Sequence, residues 1–416
     1  MALKTYPNGL RLSVTPREDS KLISVDLHIT GGTQSEKNYE SGISEFTSRM
    51  LLMGTVNHPT QKDLFDYAKN QGMVITSDNT CENIIVSIST MPENLSKAIE
   101  LLNEIAFESN FLPKSGDIVR NQMLSIVAKL QENTSYTLER MVNQALFYRT
   151  GLANPKFGTN TTISRMTAND SKEFLERILT PKNTIISVVG NVDSDEVYEM
   201  VIKTFYAKFL EGNDYKKLKY VAEVEGFIGS CRTKNKKLNQ SRIFLAFPSI
   251  NYKSSKKYAL EIILPILENV LKEKTMSAHY FHDIKLSTNF YANNGKFTIE
   301  TMVDCEHVDE FLKLVIDVLK SIKNNGISEQ EFKNEKNAYL IKFLESNETV
   351  SNFSKNSAKE IAVNKQSYSL ASEIMKIELL KISDANSVIN QTIDFSKLFI
   401  AYIGNPIEID VNNYLN

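Results

Sequence analysis

Glu45, Ser48 and Arg49 lie three and four residues apart in the run GISEFTSRMLLMGT, residues 42–55. On a helix this spacing puts a carboxylate, a hydroxyl and a guanidinium on one face. A carboxylate four residues before a cation is the favoured order for a helical ion pair, and an exposed pair of this kind contributes under about 0.5 kcal/mol. Arg49 cannot be deprotonated and repels a dication at short range, so the trio is no metal site. His279 and His282 stand three apart on an expected helix, with Asp283 adjacent, and Cys305 and His307 follow. No standard ligand spacing joins them, and metal binding there is the minor reading. His28 falls on the polar side of its segment, where solvation is the expected role. No glycine-rich phosphate loop, G-x-S-x-G elbow or Cys/His dyad context occurs.

The elements that position these residues follow from hydrophobic periodicity. Asn8-Gly9 reads as a tight hairpin turn. Leu10, Leu12 and Val14 alternate with polar residues, as do Ile23, Val25, Leu27 and Ile29 against Ser24, Asp26 and His28; both runs are expected strands with one buried face. Ile43, Phe46, Met50 and Met53 keep helical spacing, which sets Glu45 and Arg49 opposite their apolar stripe. Hairpins and long helices mix without regular βαβ units, which favours the α+β class. The chain also repeats itself. NTIISVVGNV (183–192) is answered by KLFIAYIGNP (397–406), and an offset of 214 residues separates Gly190 from Gly404 and Leu130 from Leu344. A period that long implies two homologous domains rather than a solenoid. Their expected bounds are 1–215 and 229–416, with a polar linker at 216–228.

The run at 42–55 resembles the motif helix of the inverted-zincin peptidases, the family of insulinase, pitrilysin, the mitochondrial processing peptidases and their bacterial cousins. In that family the frame reads roughly G-[IL]-[AS]-H-F-x-E-H-M-x-F-x-G-T, two histidines holding zinc and a glutamate deprotonating its water. Here Glu45 and Arg49 replace the histidines and Ser48 replaces the general base. The family's third ligand is a glutamate about 76 residues further along, preceded by another glutamate seven residues earlier. Laid ungapped, these positions fall on Ile126 and Val119, within an expected apolar stripe of Val119, Met123, Ile126 and Leu130. The resemblance extends to the opening NGL strand, the Gly31-Gly32-Thr33-Gln34-Ser35-Glu36 turn and the segment 240–248. It implies two domains of mixed, largely antiparallel sheet with packed helices, clam-shaped around a cavity. It also implies a substrate-holding cation and tyrosine in the second domain. Tyr291 matches the tyrosine, and Lys285 takes the arginine position if one deletion is accepted; packing is the alternative role for Tyr291.

With the ligand positions replaced, Glu45 and Arg49 either fill the former metal hole or form an ordinary helix pair. Chains of this length in the family work in pairs, often one zinc-bearing and one degenerate. The implied function is a non-catalytic subunit without zinc or other cofactor of its own, partnered by a zinc-bearing homologue around a peptide in a shared cavity. The alternative is a peptide-binding scaffold that works as a homo-oligomer, and a weaker third reading is an enzyme using another site. Composition sets the outer bounds. The 416 residues exceed one ordinary core, and 42% hydrophobic with 24% charged is a soluble balance. A net charge of -2 argues against a nucleic-acid surface. Three scattered cysteines fit a reducing, cytoplasmic setting, and no run approaches the roughly 18 apolar residues of a membrane span.

Overall fold

The computed structural model describes residues 2–210, 217–234, 238–275, 281–404 and 409–415. Stretches rich in Ile, Val, Thr and Phe become strands, as branched and aromatic side chains favour. In chain order they are β1 (Ala2–Thr5), β2 (Arg11–Pro16), β3 (Ile23–Thr30), β4 (Val74–Asn79), β5 (Asn83–Thr90) and β6 (Thr184–Gly190), then β7 (Gly229–Lys234), β8 (Gln240–Pro248), β9 (Phe281–Phe290), β10 (Gly295–Asp304) and β11 (Phe399–Gly404). They build two sheets, ordered β1-β2-β6-β3-β5-β4 and β7-β11-β8-β10-β9. With β1 set aside, the second order repeats the first strand for strand. In both, the first pair is parallel (β2 with β6, β7 with β11) and the remaining pairs are antiparallel. The offset between Gly190 and Gly404 is therefore a duplication of topology, both glycines ending equivalent strands. The expected hairpin joins β1 to β2, Ala2 opposite Val14. Gly9 takes a φ of 95° in its turn, a conformation glycine adopts without steric cost.

The helices of the first half are α1 (Ile43–Met50), α2 (Gln61–Asn70), α3 (Leu95–Phe107), α4 (Pro113–Gln131), α5 (Thr134–Leu146), α6 (Asn160–Ile163), α7 (Ala168–Ile178), α8 (Ser194–Val201) and α9 (Ala207–Leu210). Those of the second are α10 (Lys257–Thr275), α11 (Val308–Asn325), α12 (Glu329–Ser346), α13 (Val350–Asn364), α14 (Leu370–Glu378) and α15 (Ile382–Thr392). Helices α3, α4, α5 and α7 are answered by α11, α12, α13 and α15 at offsets of 213 to 216 residues. Residues 217–228 form no helix or strand.

Two compact units result, and each borrows from the other repeat. Unit 1 is Met1–Lys129, Asn154–Tyr220 and Leu344–Leu370; unit 2 is Leu130–Ala153, Val221–Phe343 and Ala371–Asn416. Helix α13 packs on β6 and β3 in unit 1, and α5 packs on the equivalent strands β11 and β8 in unit 2. The repeat boundary read from the sequence is thus crossed twice, by one helix in each direction.

Inside unit 1 the sheet has one apolar face and one mixed face, where Ile185 and Val189 flank polar residues. Leu12, Val14, Val25, Leu27, Val86 and Val188 enter the main core. On the other face Ser13, Ser187, Asp26 and Ser87 form one cross-strand row. Helix α13 meets that row with hydroxyls: Ser357 Oγ lies 3.2 Å from Ser13 Oγ, and Ser354 Oγ donates to Ser187 Oγ at 2.8 Å. Arg11 donates to the Ile361 carbonyl at 2.9 Å. His28 is therefore buried rather than solvated, because α13 covers the face that the alternation marks as polar. Burial pushes its imidazole down to about 3, with the Lys355 charge adding to the effect. The Asp26 carboxyl beside it is raised by the same burial, against hydrogen bonds from Ser354, Ser87 and Ser24. Among the described residues no helix is long and apolar enough to cross a membrane.

Candidate functional site

A buried carboxylate that local sequence rules do not reveal fixes the start of α1. Glu36 accepts from Gly42 N and Ser44 N at 3.0 Å each and from Ser44 Oγ at 2.5 Å, with Asn154 Nδ2 at 3.4 Å. It satisfies orphan N–H groups at the helix N-terminus. Gly42 enters the helix at a φ of 94°, and a Cβ there would meet the Gly158 backbone at 2.8 Å. Both demands require glycine.

One turn on, two of the three chemistry-bearing residues, Glu45 and Arg49, meet, while Ser48 turns to another partner. Arg49 Nε is 2.7 Å from Glu45 Oε1, the Glu45 side chain being 7% exposed and that of Arg49 31%. Lys156 Nζ approaches the other Glu45 oxygen at 3.7 Å and Asp78 Oδ1 at 3.3 Å. The Phe157 ring is near both cations, its centroid 5.8 Å from the Arg49 guanidinium and 5.7 Å from Lys156 Nζ. Ser48 Oγ is 2.7 Å from Ser77 Oγ on β4. Glu45 is thus a nearly buried anion held by two cations. Arg49→Met should cost roughly 1–3 kcal/mol, because it strips the nearer partner from a desolvated carboxylate. Adding Glu45→Met should recover most of that loss. Urea unfolding of the two single variants and the double variant measures the coupling; a value near zero would mark the pair as an ordinary surface contact.

Glu36 gives a pH signature. Burial pushes its carboxyl up to about 8 against the pull of Ser44, Gly42 and Asn154. The folded state then holds a proton that the unfolded chain releases near pH 4.5, so this contribution is complete below pH 4.5 and is lost as pH rises through 8. His28 runs the other way, its contribution being present above 6.5 and lost toward 3. Between pH 6.5 and 8 the raised Glu36 carboxyl acts among the described groups, and its contribution should fall. Glu36→Gln should remove about 2 kcal/mol of that fall, measured as the difference in unfolding free energy across the window.

The other expected site residues lie as follows. Val119 is fully buried on α4 with Met123 and Val127. Ile126 is only half-buried, so the buried stripe runs through Val127 instead, four residues beyond Met123 in keeping with helical pitch. Lys285 is exposed on β9 opposite Glu300 of β10. Tyr291 follows that strand, 9% exposed, its ring edge-on to Phe147 at 5.4 Å. Its N–H donates to the Asn294 carbonyl and its carbonyl accepts from Tyr252 N. His282 belongs to β9 and not to the expected helix, because the apolar alternation of Ile284 and Leu286 continues the strand. His279 lies outside the described residues. Sequence reasoning missed Glu36, Ser77, Asp78 and Lys156, whose roles depend on contacts made across 6 to 118 residues of chain.

Zinc, which the resemblance places at α1, does not fit these residues. Glu45 is already matched by a guanidinium and an ammonium, the Ser48 hydroxyl is engaged by Ser77, and Ile126 offers only hydrocarbon. Among the described residues no group of three or more His, Cys, Asp or Glu could hold a metal ion.

Comparison with known proteins agrees with the fold. The family model "Insulinase (Peptidase family M16)" matches residues 14–160, and "Peptidase M16 inactive domain" matches residues 165–339. An uncharacterized zinc protease of Bacillus subtilis, YmxG, is 23% identical over 96% of this chain and 98% of its own length. The mitochondrial-processing peptidase subunit beta of Dictyostelium discoideum is 22% identical over 64% of this chain and 57% of its own. Among solved structures, a peptidase M16 inactive domain from Pseudomonas fluorescens superposes with a TM-score of 0.86 at 16% identity, covering 98% of both chains. A protease from Helicobacter pylori gives 0.85 at 19% identity, covering 97% of this chain and 99% of its own. With both family models matched in order and the duplicated sheet topology in place, the chain belongs to the insulinase family, peptidase family M16.

Proposed function

We propose that this chain is a non-catalytic subunit that partners a zinc-bearing homologue in peptide or protein processing. One observation carries the reading: at the helix where relatives named zinc proteases would hold their metal, this chain sets Arg49 and Lys156 against Glu45. Fixed positive charge at that spot opposes a dication and leaves no base to activate water. The frame around it, from Glu36 and Gly42 to the paired sheets, is kept. On this reading the chain works in the cytoplasm and carries no zinc of its own. Substrate peptides join an edge strand, β4 in unit 1 or β9 in unit 2, by main-chain hydrogen bonds. Lys285 and Tyr291 add side-chain contacts.

The test is to purify this chain and a homologue with an intact H-x-x-E-H helix separately, then mix them. Cleavage of a quenched fluorescent peptide library should be absent with this chain alone and should rise well above the homologue's own rate in the mixture, with a mixed species on sizing. A homologue fully active alone, together with self-association of this chain, would replace the reading with that of a homo-oligomeric scaffold.

A further inference from the structure

The two repeats differ in what their exchanged helices cover. In unit 2, α5 reaches Lys296 of β10, whose side chain is 3% exposed, and matches its charge with Asn143 Oδ1 at 2.8 Å and Glu139 Oε1 at 3.4 Å. In unit 1, α13 covers Asp26 and His28, two residues apart on one face of β3 and both buried. Asp26 meets hydroxyls, Ser24 Oγ donating to its Oδ2 at 2.9 Å, and His28 Nε2 has no hydrogen-bond partner among the described residues. Desolvated in this way, a carboxyl and an imidazole are both held toward their neutral forms.

Two apolar patches and a knot hold α13 in place. Val350 and Phe353 pack with Val189, and Ala358 and Ile361 with Ile185. Between these patches α13 offers Ser354 and Ser357, whose bonds to Ser187 and Ser13 water can replace at little cost. The knot lies just beyond the helix ends. Arg17 donates to the carbonyls of Asn347 and Glu348 at 3.1 and 2.8 Å, and Asn347 Oδ1 accepts from Tyr368 OH at 2.8 Å. Lys365 closes the helix at a φ of 59°, left-handed backbone that is unfavourable for a residue with a Cβ.

We propose that α13 is a detachable cover, which lifts about this knot while the sheet of unit 1 stays folded and lets Asp26 and His28 become charged. The inference is separate from the peptidase reading. On lifting, Asp26 gives its proton to water and His28 takes one from water, so their pH responses are opposite. His28 sits at about 3 when covered and regains 6.5 when free; its share of the docking is complete above 6.5 and is lost toward 3. Asp26 is raised above 3.8 when covered; its share is complete below 3.8 and is lost as pH rises. The other titratable groups around the pair are Lys355, Lys359 and Glu360 of α13, Arg11 of β2 with Lys217 and Tyr220 beside it, and Asp78 of β4; β5 and β6 carry none. Lys355 acts on both members of the pair, and all of these groups are shared by the variants below.

The test is hydrogen exchange of the full chain read by mass spectrometry between pH 4.5 and 6.5, with rates corrected for their intrinsic pH dependence. A released helix of 15 residues is marginal in water, so each opening exposes its amides. In the unaltered chain α13 should exchange at least about tenfold faster than β3 and β6, a readout that needs no variant. Asp26→Asn leaves His28 as the responding group, and α13 exchange should quicken at least about tenfold as pH falls from 6.5 to 4.5. His28→Gln leaves Asp26 as the responding group, and α13 exchange should slow over the same fall. A substitution that only loosened packing would shift exchange equally at every pH. Exchange of α13 in step with β3 and β6 would overturn the proposal. So would variants that show no pH response, or that respond in the same direction.

Discussion

Changing Tyr291 to Phe should slow peptide cleavage by the mixed complex about 10²- to 10³-fold, the loss associated with one donor aimed at developing charge. The ring packs edge-on against Phe147. Phe would keep the edge-on contact with Phe147, and the backbone bonds to Asn294 and Tyr252 do not involve the side chain. A rate loss with unchanged assembly and unchanged melting temperature would point to the hydroxyl. Lys285→Ala should act in the same direction, or raise KM, since an ammonium holds a carbonyl or carboxylate as a point charge without the fork of an arginine. Lys285 is exposed on β9, so its removal should leave the melting temperature in place. If neither substitution changes the rate of the mixture, the shared-site reading fails and the scaffold reading replaces it.

The second large effect concerns metal. Restoring Glu45→His, Ser48→Glu and Arg49→His should still give a chain that loses zinc on dialysis, because two protein ligands are one short of the three that catalytic zinc sites use. Adding Ile126→Glu should bring retention of about one zinc per chain. Ile126 can accept the change because it is only half-buried, whereas the same substitution at fully buried Val119 would place an unpaired carboxyl in the core. Metal analysis of the triple and quadruple variants separates the cases. One retained zinc in the triple variant would show that the third ligand does not come from position 126.

Periodicity in the sequence carried most of the architecture. The alternation of Ile23 to Ile29 located β3, and Gly190 and Gly404 marked equivalent strand ends 214 residues apart. What it could not carry was anything set by a distant cover. His28 alternates as a solvated residue should, yet α13 arrives from more than 320 residues away and buries it. The same limit hid part of the site. Glu45 and Arg49 share a helix turn, so their pairing was legible, but Lys156 and Asp78 reach them only through tertiary folding. Ile126 shows a finer limit: helical spacing gave the right helix and stripe, but chose the neighbour of the residue that is buried.

The exchanged helices impose an order on biosynthesis. The last strand of unit 1's sheet, β6, is complete once residue 190 is made, but α13, which covers the mixed face of that sheet, ends at Asn364. At ribosomal speeds of about 5–20 residues per second, the row of Ser13, Asp26 and Ser187 waits roughly 9–35 s without its lid. The nascent first repeat is therefore an open half-fold while the second is being translated. Its uncovered surface mixes hydroxyls and ionisable groups, which water can solvate, with Ile185 and Val189, which stay bare until Ala358, Ile361 and Phe353 of α13 arrive.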